Sequence, residues 1–164
     1  MSYSYSRIRH QKRLEQVPTR GNRISLLGLW QPGQQFEYAL AQGGFDGKSY
    51  LKVMDWIAEK AALTLNQRGR LTVVVQDNSS IHKRDIVRQQ WQRWQDQGLF
   101  LFFLPPYSAE MNRIEDQWHQ LKAHELGGQM FEDEYDLAMA VIKGMETRSE
   151  SGKYLLERFK FKST

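Results

Sequence analysis

The sequence predicts an α/β fold in which helices cover a mixed sheet. Two observations support this prediction. Two short apolar runs, at 71–76 and 99–104, have the length and the β-branched or aromatic content of strands that are buried on both faces. Elsewhere, apolar residues recur at helical spacing, so that strands and helices alternate along the chain. With 164 residues, the chain is long enough for one domain with its own core.

The first half of the chain predicts a hairpin followed by a helix. Residues 23–30 (RISLLGLW) and 35–41 (QFEYALA) are apolar and are separated by a Pro-Gly turn, so we expect two antiparallel strands. From 48 to 65 the apolar residues share one helical face. The residues of this face are Tyr50, Met54, Ile57 and Ala61.

The second half continues the alternation and ends in helices. The predicted elements are a strand at 71–76, a helix at 83–97, a strand at 99–104 and helices at 109–126, 132–147 and 152–161. This order is typical of a ribonuclease H-like fold, except that such a fold opens with three antiparallel strands and only two are predicted here. We therefore expect an α/β, ribonuclease H-like mixed sheet flanked by helices that lacks its opening strand. Residues 1–164 would form a single domain, with 129–164 as its C-terminal helical extension.

Composition excludes several classes of protein. There is no apolar run near the roughly 18 residues of a membrane span, and the N-terminus has no secretory h-region. Without cysteine there is neither a disulfide framework nor a thiolate zinc site. His119 and His124 are five residues apart, which is not the spacing of a zinc-binding helix. Phosphate-loop, dinucleotide and nucleophile-elbow motifs are absent.

Basic residues concentrate at both ends of the chain. Residues 1–23 hold six cations against one carboxylate and residues 153–162 hold four against one, although the whole chain carries only +4. The middle is therefore acidic. This distribution fits a protein that contacts a polyanion at its edges, and it fits solvated basic tails equally well.

One candidate metal ligand follows the most apolar strand. The strand at 71–76 runs directly into Asp77. Sites of α/β sheets gather beyond the carboxyl ends of strands, and a buried strand holds its last residue rigidly. Taken alone, however, Asp77 fits better as a loop residue that caps the next helix.

A second candidate is on the helix at 109–126. Its apolar stripe consists of Met111, Ile114, Trp118 and Leu121. Glu115 is in the neighbouring polar stripe, beside the buried seam, whereas Asp116 is further from it. On this pattern alone, Glu115 fits better as a helix-surface carboxylate. Together, Asp77 and Glu115 form the hard oxygen-ligand pair that Mg²⁺ or Mn²⁺ prefers.

The segments QDNSSIHK (76–83) and FFLPPYSAEMNRIEDQWHQLK (102–122) resemble the catalytic core of mariner-like bacterial insertion-sequence transposases of the DDE group. In that family a strand ends in Asp-Asn-x-x-x-His, a second ends in Leu-Pro-Pro-Tyr-Ser-Pro, and Asn-Pro-Ile-Glu follows on a helix. Asp77 then corresponds to the second acidic residue and Glu115 to the third. Ala109 and Arg113 stand where the family has prolines.

The resemblance implies metal-dependent DNA cleavage and strand transfer. Asp77 and Glu115 would hold two Mg²⁺ or Mn²⁺ ions. The supporting residues would be Asn78, His82, Ser108 (as a helix N-cap) and Asn112. The residues that would contact DNA phosphates are Arg7, Arg9, Lys12, Arg13, Arg113 and Lys122. The chain would act on transposon ends and target DNA in the bacterial cytoplasm, associated with the nucleoid, as a homodimer or in assembly with an upstream segment.

The family's first catalytic Asp is not found in this sequence. It precedes a stretch like residues 3–6, which is where the sequence starts. Asp46 is in a Gly-rich turn and Asp55 is off the apolar stripe of its helix, so both are poor substitutes. We therefore expect an incomplete transposase domain that is inactive alone. Three origins would explain this: a transposase that arises by a shift of reading frame, a truncated start of the sequence, or a decayed remnant of the element. The alternatives are a non-catalytic DNA-binding or oligomerising fragment and, less well supported, a free-standing nuclease.

Overall fold

The computed structural model describes residues 2–8, 24–76, 85–105 and 114–161, with the backbone alone for 2–8. Its strands are β1 (Ser2–Ile8), β2 (Ile24–Gln31), β3 (Gln35–Gln42), β4 (Thr72–Gln76), β5 (Leu99–Phe103) and β6 (Leu155–Phe159). Its helices are α1 (Gly47–Arg68), α2 (Asp85–Arg88), α3 (Trp91–Asp96), α4 (Ile114–Gln120), which continues as a π-helical segment (Leu121–Glu125), and α5 (Glu134–Gly152). The chain divides into two compact units, one of Met1–Tyr5 with Phe45–Asn112 and one of Ser6–Gly44 with Arg113–Thr164.

The sheet of the first unit is parallel. Its strand order is β5-β4-β1, and Gln76 at the end of β4 is level with Tyr5 of β1 and Phe103 of β5. Helix α1 begins at the N-cap Asp46 and ends at Gly69, whose left-handed conformation suits glycine. All four residues of its predicted apolar face are buried, which confirms that prediction.

Strand β1 corrects the expectation that the sheet lacks its opening strand. The segment Ser2–Ile8 pairs in parallel with β4 and precedes the hairpin, so among the described residues three strands come before the first helix. The reason is physical: tyrosine and isoleucine favour strands, and pairing satisfies the backbone polar groups of β4 on that side. Because serine alternates with tyrosine, SYSYSRI has no apolar run by which the strand could be recognised.

The second unit has the strand order β1-β2-β3-β6, with β1 represented by its last residues. The predicted hairpin is present: β2 and β3 are antiparallel, and the turn closes through a 3.0 Å hydrogen bond from Gln34 N to Gln31 O. Gly33 has a φ of 74°, so Pro32-Gly33 follows the pattern of a type II turn.

The helix predicted at 152–161 is wrong, because Leu155–Phe159 is strand β6, parallel to β3. Lys153 ends α5 in the left-handed conformation, which stops the helix before the segment can continue it. The outer edge of β3 then offers the hydrogen-bonding partners that a strand needs. The predicted C-terminal extension 129–164 therefore contains a strand as well as helix α5.

The single helix predicted at 83–97 is also wrong in its described part, where α2 and α3 are separated by a turn at residues 89–90. No proline or glycine marks this break. The change of direction accompanies the burial of Trp94 and the packing of Trp91 on Phe103, with ring centroids 5.6 Å apart. Tertiary packing here prevails over local helix propensity.

Helix α4 packs the described part of its predicted apolar stripe into the core of the second unit, and Met111, the first residue of that stripe, lies outside the described residues. Ile114, Trp118 and Leu121 are buried together with residues of β2, β3 and α5. No helix in the described part of the chain combines the length and apolar character that crossing a bilayer requires.

Candidate functional site

The carboxyl end of β4 is held firmly within the first unit. Gln76, its last residue, is fully buried, and the Tyr50 hydroxyl of α1 donates a 2.9 Å hydrogen bond to its Oε1. The Leu104 backbone N–H donates to the Gln76 carbonyl at 2.8 Å. The side chain and the backbone are thus both anchored one residue before Asp77, which itself lies outside the described residues.

The sequence alone does not indicate the Tyr50–Gln76 pair. Its pattern predicts Tyr50 as a core residue and Gln76 as the end of a strand. The hydrogen bond fixes the orientation of the amide, and Gln76 Nε2 is buried without a hydrogen-bond partner among the described residues. A buried donor without an acceptor lowers the free energy of unfolding by about 1–3 kcal/mol. The signal that could have found the pair is a polar residue that ends an otherwise apolar strand.

Glu115 is the second residue of α4, in the second unit. It is half-buried between the buried Ile114 and the exposed Asp116, the placement that the apolar stripe predicts. Three residues later, Trp118 packs edge-to-face on Phe36, with ring centroids 5.2 Å apart at 69°. Glu115 therefore occupies a helix whose position is set by an aromatic contact with β3.

Of the remaining predicted site residues, some lie within the described ranges and others lie outside them. Lys122 is partly buried in the π-helical segment, and Arg7 belongs to strand β1. The predicted residues outside the described ranges are Asp77, Asn78, His82, Ser108, Asn112, Arg9, Lys12, Arg13 and Arg113. The pairing of Asp77 with Glu115, and the roles of the supporting and DNA-contacting residues, stay predictions.

Asp46 and Asp55 have structural roles in the first unit. Asp46 accepts a 2.8 Å hydrogen bond from Ser49 N as the cap of α1, and this bond lowers the pKa of the Asp46 carboxyl. Asp55 Oδ1 accepts from Arg93 Nη2 at 2.7 Å and from Trp94 Nε1 at 2.8 Å. Neither carboxylate is therefore placed as a spare metal ligand.

The chemistry of the predicted ligands fits a hard divalent cation. Asp77 and Glu115 supply carboxylate oxygens, and the sequence has no cysteine to favour a softer metal. Among the described residues, no group of three or more His, Cys, Asp or Glu side chains could hold a metal ion. A complete site therefore requires ligands from beyond the described ranges, of which Asp77 is one candidate.

The mixed sheet flanked by helices defines the class of the fold, which is ribonuclease H-like. It is similar to the catalytic domain of the Mos1 mariner transposase, with a TM-score of 0.61 and 12% identity over 93% of this chain and 78% of that chain. Two further Mos1 structures, each solved with raltegravir, one with Mg and one with Mn, give TM-scores of 0.59 and 0.57 at 14% and 12% identity. They cover 93% of this chain and 79% and 78% of theirs.

Residues 1–138 match the family described as DDE superfamily endonuclease, and the chain belongs to that family. No curated protein matches the sequence. The family match confirms the predicted DDE family, and the fold confirms the predicted ribonuclease H-like sheet, which is similar to that of the Mos1 transposase catalytic domain.

Proposed function

We propose that this chain is a transposase catalytic domain for metal-dependent DNA cleavage and strand transfer, inactive by itself, with Mg²⁺ or Mn²⁺ held by Asp77 and Glu115. The observation that carries the proposal is the family match over residues 1–138, which includes both carboxylates. The metals named for the Mos1 structures support the choice of cation. When bound, two such ions activate a hydroxyl and stabilise the leaving oxygen of a phosphodiester.

The contribution of the chain's own residues is rigid placement. Tyr50 and Leu104 hold Gln76, and Gln76 is the residue to which Asp77 is attached. Trp118 fixes α4, which carries Glu115 on its first turn. Metal ligands need such support, because a site that is loose by about 1 Å binds and reacts poorly.

DNA is the proposed partner, through sequence-independent contacts to its phosphates. The proposed contact residues are Arg7, Arg9, Lys12, Arg13, Arg113 and Lys122. Asn78, His82, Ser108 and Asn112 would shape the two loops that carry the ligands. We further propose a homodimer, or an assembly with an upstream segment, in the bacterial cytoplasm at the nucleoid.

Calorimetric titration with Mn²⁺ tests the proposal. Asp77→Ala and Glu115→Gln should each weaken Mn²⁺ binding at least about tenfold, because each removes a ligand. Asp116→Asn is the matched control, since it removes an exposed carboxylate from the next position on α4 and should leave the affinity within about twofold. Equal affinity of Asp77→Ala and the unaltered chain would refute the metal site.

A second candidate function is a non-catalytic DNA-binding or oligomerising fragment. One observation favours it: strand β1, SYSYSRI, contains neither Asp nor Glu, so the family's first carboxylate is not on this strand. A plasmid-nicking assay with Mg²⁺ or Mn²⁺ should therefore show little or no cleavage by this chain alone. Robust nicking would mean that another residue supplies the third carboxylate.

A further inference from the structure

A cleft of about 470 Å³ opens within the second unit, away from Glu115. Helix α4 and its π-helical continuation form one wall, and the C-terminal end of α5 and the β2–β3 hairpin form the others. The lining includes Trp30, Gln117, Gln120, His124, Arg148 and Tyr154. At about 100° per residue, Gln117 and Gln120 lie on the flank of α4 opposite Glu115. The cleft is therefore separate from the proposed metal ligand.

Arg148 is the cationic centre of this cleft. Its Nη2 donates hydrogen bonds to Oε1 of Gln117 at 3.0 Å and to Oε1 of Gln120 at 2.7 Å. In the part of the chain that the structure describes, it forms no ion pair; the acidic residue nearest to it in the lining is Glu125. A half-buried guanidinium is thus held in place by two neutral amides, and its remaining N–H groups keep their donor capacity.

The walls of the cleft present mainly hydrogen-bond donors. A guanidinium only donates, so the contacts with Arg148 take the oxygen of each glutamine and leave the amino groups of Gln117 and Gln120 as donors. The Ser151 hydroxyl and the His124 ring add further polar groups, while Glu125 contributes the one carboxylate among the described residues of the lining. This polarity selects a ligand that is rich in acceptors and carries negative charge.

We propose that the cleft binds a backbone phosphate of DNA at a distance from the strand being cut. This inference rests on the proposed function, which supplies DNA as the substrate. The planar fork of Arg148 matches a phosphate, and glutamine and serine are common partners of the DNA backbone. Gly33 and Gly152 in the lining have no side chains to block a close approach. Trp30 and Tyr154 pack edge-to-face, with ring centroids 4.7 Å apart, and form a rigid apolar wall.

Fluorescence anisotropy with a short labelled duplex, between about 50 and 200 mM salt, measures the contribution of Arg148. Arg148→Gln should weaken binding about tenfold and reduce the salt slope by about one, as expected for the loss of one phosphate contact. Arg93→Gln is the matched control. It removes the same charge, but Arg93 is paired with Asp55 at 2.7 Å, so the affinity should change less than about twofold.

Glu125→Gln keeps the proposal testable even if Arg148→Gln perturbs folding by releasing the two glutamines. Removing this carboxylate of the lining should tighten DNA binding roughly two- to fivefold, a gain that misfolding cannot produce. Thermal unfolding of both variants shows whether the fold is kept. If neither variant changes the affinity or the salt slope in a folded chain, the proposal is overturned.

Two further titrations complete the test. One distinguishes a DNA phosphate from free inorganic phosphate as the ligand, and the other distinguishes failure of the cleft proposal from failure of the metal-site proposal. Inorganic phosphate alone should bind weakly, without saturation in the millimolar range; saturable, Arg148-dependent binding of inorganic phosphate with unchanged DNA affinity would overturn the assignment to DNA. Arg148→Gln should leave Mn²⁺ affinity unchanged, and a fall in Mn²⁺ affinity would contradict the separation of the two sites. If Asp77→Ala does not change the Mn²⁺ affinity while Arg148→Gln weakens DNA binding, the metal-site proposal is refuted and the proposal of a phosphate-binding cleft is supported.

Discussion

A methyl group added at Gly28 would meet the aromatic core of the second unit. Gly28 is in the middle of β2, opposite Tyr38 of β3. A Cβ added here would be 2.5 Å from Cζ2 and 2.6 Å from Cη2 of Trp118, and 2.9 Å from Cε1 of Phe36. Carbon atoms in contact prefer about 3.5–4.0 Å, so the indole ring would have to move by roughly 1 Å.

The cost of Gly28→Ala follows from the lack of room around that ring. Trp118 is only 3% exposed and Phe36 only 1%, so neither can move into solvent without disturbing the core. Overpacking of this kind costs about 1–3 kcal/mol, and each kcal/mol lowers the melting temperature by about 2–4 °C in a chain of this size. Because Trp118 and Glu115 are both on α4, the displacement should also weaken Mn²⁺ binding.

A double-mutant cycle measured by chemical denaturation identifies the clash as the cause. Trp118→Phe removes the ring atoms that the new methyl would meet, so the cost of Gly28→Ala should be smaller by at least about 1 kcal/mol in that background. Additive effects of the two substitutions would show that the cost arises elsewhere. A change of less than about 0.5 kcal/mol for Gly28→Ala alone would refute the reasoning.

Substitutions at three other positions are tested by chemical denaturation. Asp46→Ala should lower the free energy of unfolding by about 1 kcal/mol at neutral pH by removing the cap of α1. Because the pKa of Asp46 is lowered by folding, this difference should disappear as the pH falls through that lowered pKa, and a constant difference would contradict the assignment. Asp55→Ala should cost about 1–3 kcal/mol by leaving Trp94 Nε1 buried without an acceptor, whereas Asp55→Asn should cost less. Burial raises the pKa of Tyr38 to about 12, so its proton stabilises the folded chain below about pH 10 relative to higher pH. That contribution is lost as the pH rises through 12, and Tyr38→Phe should lose less stability over this range; an equal loss would contradict the burial argument.

The parts of the fold that the sequence predicts are those set by local periodicity. The apolar face of α1 repeats over several turns, and the stripe of α4 repeats at Ile114, Trp118 and Leu121, so both were correctly predicted. The hairpin was correct because Pro32-Gly33 encodes its own turn. In each case the signal and the structure lie within the same short segment.

The parts that the prediction missed depend on partners far away in sequence. Strand β1 is a strand because β4 offers it an edge, and β6 is a strand because β3 does. SYSYSRI alternates serine with tyrosine and LLERF mixes apolar with charged residues, so neither has the apolar run that marks a buried strand by itself. The anchoring of Gln76 by Tyr50 joins residues that are 26 positions apart, a contact that no local pattern encodes.

A two-metal centre needs a third carboxylate, and two aspartates of the first unit already have structural contacts. Oδ1 of Asp46 caps α1, and Oδ1 of Asp55 accepts hydrogen bonds from Arg93 and from the indole N–H of Trp94. We therefore expect Asp46→Asn and Asp55→Asn to leave Mn²⁺ affinity unchanged in calorimetry, whereas Asp77→Ala lowers it. A loss of affinity in either asparagine variant, with the fold intact, would identify that aspartate as the missing ligand and overturn its assignment as a purely structural residue.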